Sequence, residues 1–117
     1  MQYMLLIYEP EDIYEGPAGE ALLVDVVAKY TALSEEMAAN GVLRGGDGLQ
    51  PSASATTVKT LVGGGQSLHD GPFAETREHL GGYFILDVPD LDAALAYARK
   101  VPVAEGGMVE VRPVAIY

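Results

Sequence analysis

The chain has 117 residues, no cysteine, and 17 acidic side chains against 7 lysines and arginines, which gives a net charge of −10 at pH 7. A chain of this length is expected to form one domain, residues 1–117, with a core of its own. The missing cysteines exclude disulfides, thiolate metal sites and a cysteine nucleophile, and they fit a reducing compartment. This net negative charge argues against nucleic-acid binding, which requires a stripe of basic side chains. It also disfavours binding to an anionic membrane surface.

The first forty residues predict a strand followed by a long helix. Tyr3 to Tyr8 is apolar at every position, which is typical of a strand buried on both faces. Because this run ends at Glu9 and follows no basic segment, it predicts neither a signal peptide nor a membrane span, and we expect a cytoplasmic protein. A helix is predicted from about Ala18 to Ala39, where apolar residues recur every three or four positions as one buried stripe: Leu23, Val26, Val27, Tyr30, Leu33 and Met37.

Glycines divide the middle of the chain into short strands. Val42 to Pro51 predicts a strand broken by three glycines. Ala55 to Val62 is rich in threonine and valine, and the sequence GGG then turns the chain into a second arm, Gln66 to Asp70. Two such segments joined by a glycine turn predict a β-hairpin, which Gly71-Pro72 terminates.

The last third predicts a strand, a helix and a strand. Phe73 to Leu80 is interpreted as a polar connection and Gly82 to Val88 as a strand of alternating side chains. Asp90 is placed to cap a second helix whose buried face is Leu91, Ala94, Leu95 and Ala98. Met108 to Tyr117 predicts the final strand, in which Pro113 indicates an edge position or a bulge.

This order of elements predicts an α+β fold, a ferredoxin-like split βαβ antiparallel sheet with an extra β-hairpin. Right-handed crossovers place both helices on one face of the sheet. The two central strands are apolar on both faces, and each large apolar side chain contributes ~1.5–3 kcal/mol when it is buried. A second copy of the same sheet is the simplest cover for the free face, so we expect a homodimer.

Several motifs in a fixed order carry a family resemblance. They are YMLLIY, RGGDGL, DGPFAETRE before a Gly-Gly-aromatic strand, PDLDAALAYA and VEVRPV. With these motifs the chain resembles the DGPF-domain branch of the YCII-related proteins over nearly its whole length. The resemblance implies a ferredoxin-like fold that dimerises sheet to sheet into an α/β barrel, with a cleft between the sheet and the loops.

The same resemblance implies several functional expectations. One YCII-related protein is a dehydrochlorinase of a chlorinated hydroxyquinol, and a His/Asp pair has been proposed as catalytic in other relatives. DGPF proteins also resemble products encoded beside extracytoplasmic-function sigma factors, which implies a stress or regulatory context.

Asp70 is the first candidate site residue. Gly71-Pro72 forces a turn that holds Asp70 in a fixed direction. There Asp70 either lines a pocket, as a base or as the group that orients a histidine or a substrate hydroxyl, or only accepts bonds from backbone amides of its own turn. His69 is its neighbour, but adjacent strand residues point to opposite faces. His79 lies in the polar connection and could fold back toward Asp70. Each histidine is a candidate for substrate binding or an ordinary surface residue.

Arg112 is the second candidate, in an otherwise apolar final strand. Its guanidinium could bind a carboxylate, enolate or phenolate in a bidentate manner. Alternatively, it could form an ion pair with Glu110, Glu75 or Asp70. Tyr83 is expected to donate a hydrogen bond in the same cleft or to serve as an interface aromatic. Glu75 belongs to the segment ETRE, in which Glu75 and Glu78 flank Arg77. The segment is either a helical turn or loop with a solvated face, or a pair of acids for catalysis, and Glu75 is also a candidate for substrate binding.

No cofactor or metal is expected. Neither RGGDG nor GGG is followed by the Lys-Ser or Lys-Thr of a phosphate-binding loop, and neither matches the dinucleotide pattern. Two histidines ten residues apart give no recognisable metal spacing. Two functions stay open. One is a small, cofactor-free enzyme, similar to a lyase or dehydrochlorinase, with Asp70 as the base or the orienting group and Arg112 holding negative charge. The other is a non-catalytic ligand- or partner-binding regulatory module associated with a sigma factor.

Overall fold

The computed structural model describes all 117 residues and contains six strands and two α-helices. In chain order these are β1 (Gln2–Pro10), α1 (Gly16–Ala39), β2 (Leu43–Gly48), β3 (Thr56–Thr60), β4 (Gln66–Asp70), β5 (Glu78–Asp87), α2 (Leu91–Ala98) and β6 (Met108–Pro113). Short 3-10 turns occupy Glu11–Tyr14 and Ser52–Ser54. No helix is both long and apolar enough to cross a membrane.

The main sheet has four antiparallel strands in the order β2-β5-β1-β6. This order, with one helix after β1 and another after β5, is that of the split βαβ arrangement. The α+β, ferredoxin-like prediction is confirmed. Pro113 ends the edge strand β6, where its missing N–H leaves no ladder bond unmade.

The predicted hairpin forms a separate two-stranded sheet of β3 and β4, which we call the arm (residues 56–70). The arm extends away from the main sheet, and the radius of gyration is 16.2 Å, whereas a compact domain of this length has ~13 Å. Apolar side chains on the arm, such as Val58 and Leu68, are exposed. The arm is therefore supported mainly by its own ladder.

The core lies between the main sheet and the two helices. Strand alternation sends Tyr3, Leu5 and Ile7 of β1 to the helix side, where all three are buried. Leu5, Met37 and Leu86 are the largest fully buried side chains, and they come from β1, α1 and β5 respectively. One contiguous apolar cluster thus joins the two central strands to α1 and α2.

The second helix begins as predicted, but one of its predicted core residues is exposed. The Asp90 carboxylate accepts a hydrogen bond from the Ala93 backbone N–H at 2.9 Å, which confirms the cap. Ala94 is buried, but Leu91 is exposed, so the prediction for Leu91 is wrong. The helix has only eight residues, and Leu91 lies at its first turn, beyond the edge of the core.

Two further predictions are corrected by the structure. The strand β5 begins at Glu78 rather than Gly82, because its ladder with β1 continues past a bulge at Ile7/Tyr8 as far as Pro10. In α1 the predicted stripe is buried at Leu33 and Met37, but Leu23 is 44% exposed and Val27 is 53% exposed. Val26, in the same stripe, is buried. Leu23 and Val27 are exposed because they border the cleft described in the next section.

The face of the main sheet opposite the helices carries Met4, Leu6, Tyr8 and Ile85, which are half-buried. We call it the open face. Neither helix covers it, because α1 and α2 both pack on the side of Leu5. The apolar character predicted for both faces of the central strands is therefore present.

Candidate functional site

A cleft of about 660 Å³ lies between the first half of α1 and the sheet, at the end where β1 terminates. We call it simply the cleft. Leu23, Val27 and Tyr30 line it from α1, and Ile7 and Phe84 line it from the sheet. The exposed half of the α1 stripe is thus the apolar wall of this cleft. A cleft of this size and lining is suited to a small organic ligand.

Glycines on the opposing strands keep the cleft open. Gly46, Gly48, Gly81 and Gly82 all line it, so the ends of β2 and β5 present backbone where side chains would otherwise fill the space. A Cβ on Gly82 would lie 2.9 Å from the carbonyl oxygen of Asp47, so glycine is also required there for β2 to approach β5. The motifs RGGDG and LGGY thereby gain a structural role.

Glu9 lies in the floor of the cleft and is 9% exposed. Its Oε2 accepts hydrogen bonds from the Tyr14 hydroxyl at 3.0 Å and from the Ala104 backbone N–H at 3.1 Å. Both bonds end on Oε2, and no fully buried side-chain oxygen in the protein lacks a partner, so the unpartnered Oε1 is reachable from the cleft. One oxygen of this carboxylate is anchored, and the other is free to act on a ligand.

Two tyrosines stand beside this carboxylate. Burial raises the pKa of Tyr14 to about 12, with further contributions from the charge of Glu9 and the hydrogen bond to it. Burial also raises the pKa of Tyr30, and the nearby Glu9 and Tyr14 act in the same direction. Both hydroxyls therefore keep their protons at neutral pH and serve as hydrogen-bond donors. The ring of Tyr30 also packs on Phe84, with 6.2 Å between ring centroids.

Close backbone contact fixes Tyr14 in this position. A Cβ on Gly19 would collide with the backbone of Tyr14, so only glycine lets the 3-10 turn pack against the start of α1. The turn itself is short and contains no buried residue. Gly19 is therefore what brings the Tyr14 hydroxyl within reach of Glu9.

His79 lies directly opposite Glu9 in the ladder between β5 and β1. Directly opposed residues of antiparallel strands have side chains on the same face, with Cβ atoms about 5 Å apart. His79 lines the cleft as well. An imidazole and a carboxylate thus border the same space. No three carboxylate or imidazole groups come together in the way that a metal ion requires.

A carboxylate also shapes the mouth of the cleft. Glu11 accepts hydrogen bonds from the backbone N–H and the hydroxyl of Ser52, both at 2.7 Å. These bonds tie the segment after β2 across the end of β1, and Pro51 and Leu49 of that segment line the cleft. The charged residues that line the cleft are Glu9, Glu11, Glu35 and Asp47, together with His79 and without any lysine or arginine.

The family model described as "YCII-related domain" matches residues 1–116. This chain belongs to the YCII-related family. It is also 34% identical to an uncharacterised protein of Rhizobium meliloti (strain 1021), an alignment that covers 100% of this chain and 94% of that protein. The family resemblance carried by the sequence motifs is confirmed.

In this YCII-related domain two of the predicted site residues, His79 and Tyr83, line the cleft, whereas the other four, His69, Asp70, Glu75 and Arg112, do not. Asp70 and His69 lie at the end of the arm strand β4, and both are exposed. Glu75 is exposed in the connection between the arm and β5. The carboxylate of Asp70 has no ion-pair partner in the chain, and the turn after it is held by a bond from the Thr57 hydroxyl to the Gly71 carbonyl at 2.8 Å.

Arg112 and Tyr83 lie on the open face of the domain, on strands that flank β1. Arg112 is exposed and forms an ion pair with Glu110 at 3.5 Å, which is one of the alternatives that the sequence left open. Tyr83 borders the cleft, but its hydroxyl donates to Asp47 at 3.2 Å on the open face, and this bond raises its pKa. A meeting of Asp70 with Arg112 and Tyr83 stays a prediction for an assembly of two chains.

Sequence reasoning missed Glu9, Tyr14 and Tyr30 as residues of the cleft. Glu9 was interpreted as the polar end of a strand and Tyr30 as part of the core stripe. One signal was available for Glu9: it continues the alternation of Tyr3, Leu5 and Ile7, which places a carboxylate on the buried face. A charged residue on such a face indicates a functional site or a buried ion pair.

Proposed function

We propose that this YCII-related protein binds a small, largely apolar molecule in the cleft and acts on it as a cofactor-free enzyme, with Glu9 as the proton acceptor. The observation that supports this proposal is a carboxylate that is nine-tenths buried, held by two hydrogen bonds on Oε2, and free at Oε1. A base that is fixed in an apolar site accepts a proton without reorganising.

The reaction class that suits this arrangement is an elimination of the lyase or dehydrochlorinase type. Glu9 Oε1 takes a proton from the substrate, the released electron pair forms a new double bond, and the leaving group departs with its own electron pair. The products together contain all the atoms of the substrate, and nothing is oxidised or reduced. Tyr14 keeps the Glu9 carboxylate in place, and His79, beside Glu9 on the same face of the sheet, is a second proton carrier.

Ligand binding in the cleft can be tested by filling the cleft with a large side chain. Val27 lines the cleft and is half-exposed, whereas Val24 on the same helix is exposed and does not line it. Val27→Trp is expected to abolish the ligand-induced shifts of tyrosine ring signals in NMR titrations with a panel of phenols and enols, and Val24→Trp to leave them unchanged. Both variants should unfold at similar denaturant concentrations. Ligand shifts that persist in Val27→Trp would place binding elsewhere.

The catalytic role of Glu9 has its own test. Glu9→Gln retains the size of the side chain and an oxygen for Tyr14 and Ala104, but it is no base. For a substrate found in the panel, we expect turnover to fall by about 10²–10⁴-fold while the substrate still binds. Turnover that is unchanged in Glu9→Gln but lost in Asp70→Ala would assign the base to Asp70 instead.

We also propose that a second copy of the chain covers the open face. Met4, Leu6, Tyr8 and Ile85 form an apolar surface that no element of the chain packs on. Sedimentation is expected to give twice the mass of one chain, and Leu6→Lys to give a folded monomer. Leu68→Lys, on the arm, serves as the matched control and should leave the dimer intact. A wild-type monomer at high concentration would refute this arrangement.

The exposed arm favours the alternative function, a partner-binding regulatory module. Val58 and Leu68 are paired across the arm, Phe73 follows it, and all three are largely exposed. A contiguous exposed apolar patch is typical of a docking surface. Under this alternative, a purified extracytoplasmic-function sigma factor binds the chain and Leu68→Asp abolishes the binding. Measurable turnover without any such binding would count against it.

A further inference from the structure

We infer that the cleft takes a ligand with an aromatic or aliphatic body and a positively charged N–H head group, such as an amine, rather than an anionic ligand. The inference rests on the proposed function, because it concerns the same cleft. It differs from the expectation drawn from Arg112, which would hold a carboxylate, an enolate or a phenolate.

The charges around the cleft have one sign. Glu9, Glu11 and Glu35 line it, and none of the seven lysines and arginines does so. Asp47 also borders the cleft, but its carboxylate accepts the Tyr83 hydroxyl on the open face. Two of these cations are paired outside the cleft: Arg44 with Asp87 at 3.4 Å, and Lys100 with Glu36 at 3.0 Å. An anionic ligand would enter a field of carboxylates without a counter-ion, whereas a cation would be attracted by it.

Glu9 provides the specific contact. The Glu9 side chain is nine-tenths buried, and its Oε1 accepts no hydrogen bond from the chain and is reachable from the cleft. A protonated amine placed there forms a charge-assisted hydrogen bond, which is stronger than the bond from a neutral hydroxyl. A carboxylate ligand would instead bring two anions together in an apolar site, which is costly.

The aromatic walls fit the same ligand. Tyr30, Phe84 and Tyr14 all line the cleft, and the rings of Tyr30 and Phe84 lie 6.2 Å apart at an angle of 33°. Aromatic faces attract a cation and pack on an apolar body. Because the raised pKa values of Tyr14 and Tyr30 keep both rings neutral, they add no competing charge at neutral pH.

The test compares three probes that share a benzyl group and end in an aminomethyl, a hydroxymethyl or a carboxylate group: 2-phenylethylamine, 2-phenylethanol and phenylacetate. Calorimetry or NMR at neutral pH is expected to show that the amine binds about tenfold more tightly than the alcohol, and that phenylacetate binds more weakly than both. Glu9→Gln should reduce the affinity for the amine to that for the alcohol and leave the alcohol unaffected.

Asp25→Asn is the matched control, because Asp25 lies on α1 outside the cleft and pairs with Lys29 on the surface. It removes one negative charge and should leave the three affinities in the same order. Phenylacetate binding as tightly as the amine, or an amine affinity that Glu9→Gln does not change, would overturn the inference while the cleft remained a binding site. Failure of the amine to bind at millimolar concentration would also overturn it. The proposed function would then be judged separately by the phenol and enol panel and by Val27→Trp.

Discussion

The two halves of α1 carry the same apolar period but meet different surroundings. In the second half, Leu33 and Met37 are buried between β1, β5 and the end of α2. In the first half, Leu23 and Val27 face the cleft and stay half-exposed. The contrast shows that a periodic stripe indicates which side of a helix is apolar, whereas the neighbouring elements determine whether that side is covered.

The helix α2 does not reach the first half of α1, and none of its residues lines the cleft. The helix α2 has only eight residues, and its end is linked to the end of α1 by Lys100 with Glu36 and by Asn40 with Tyr97. Beside the first half, β2 and β5 present glycines. A short second helix and a glycine-rich edge thus leave room for a ligand at one end of an otherwise ordinary core.

The largest expected effect contrasts these two halves directly. Met37→Ala removes a fully buried side chain and should lower the free energy of unfolding by about 2–5 kcal/mol. Leu23→Ala removes a half-exposed side chain from the cleft wall and should cost about 1 kcal/mol or less. Urea denaturation measures both. Equal losses would mean that the first half is covered in solution, by a second copy or by a ligand that purifies with the protein.

Alkaline titration tests the interaction of Tyr14 with Glu9 at the cleft. Because the pKa of Tyr14 is raised from 10.0 to about 12, the folded state favours the protonated hydroxyl. This contribution to stability is present in full below pH 10 and is lost as the pH rises toward 12. The ultraviolet absorbance of tyrosinate should show late-titrating groups in the folded protein, and Tyr14→Phe should remove one of them. An unchanged difference spectrum in Tyr14→Phe would show that Tyr14 is not held by Glu9 in solution.

Much of the fold could be predicted from the sequence, because local patterns and short connections dictated it. The apolar run of β1, the period of α1, the glycine turn of the arm and the Asp90 cap each act within a few residues. The start of β5 could not be predicted, because the polar residues at 78–80 pair with β1 only through a ladder that continues past a bulge. That pairing depends on the partner strand rather than on the segment itself.

The candidate site could be predicted only in part, and the reason is again distance along the chain. His79 was identified as a candidate, but its neighbour is Glu9, seventy residues earlier in the sequence. Ala104 donates to Glu9 from the opposite end of the chain. Asp70, aimed by a local turn, was the more visible carboxylate. A carboxylate on the buried face of a strand was the weaker signal in the sequence, yet it occupies the cleft.

The smallest expected effect lies at the end of the sheet remote from the cleft. The Met1 amino group donates to Asp87 at 3.0 Å, and this bond and its charge lower the pKa of Asp87, with a smaller contribution from Arg44. A lowered carboxyl pKa means that the stabilisation is present above pH 3.8 and is lost as the pH falls through the pKa of the folded state. NMR titration of Asp87 measures this shift, and salt should weaken it because the pair is exposed.

Asp87→Asn tests whether the end of the main sheet that carries Asp87 influences the cleft at the opposite end. It should reduce stability slightly at neutral pH, with the difference from the wild type shrinking in acid as the Asp87 carboxylate is protonated. Because the core around Leu86 lies between Asp87 and the cleft, the affinity for a cleft ligand should not change. A changed affinity would mean that the strands β1 and β5 shift as a unit, so that the end of the sheet at Asp87 helps to set the width of the cleft.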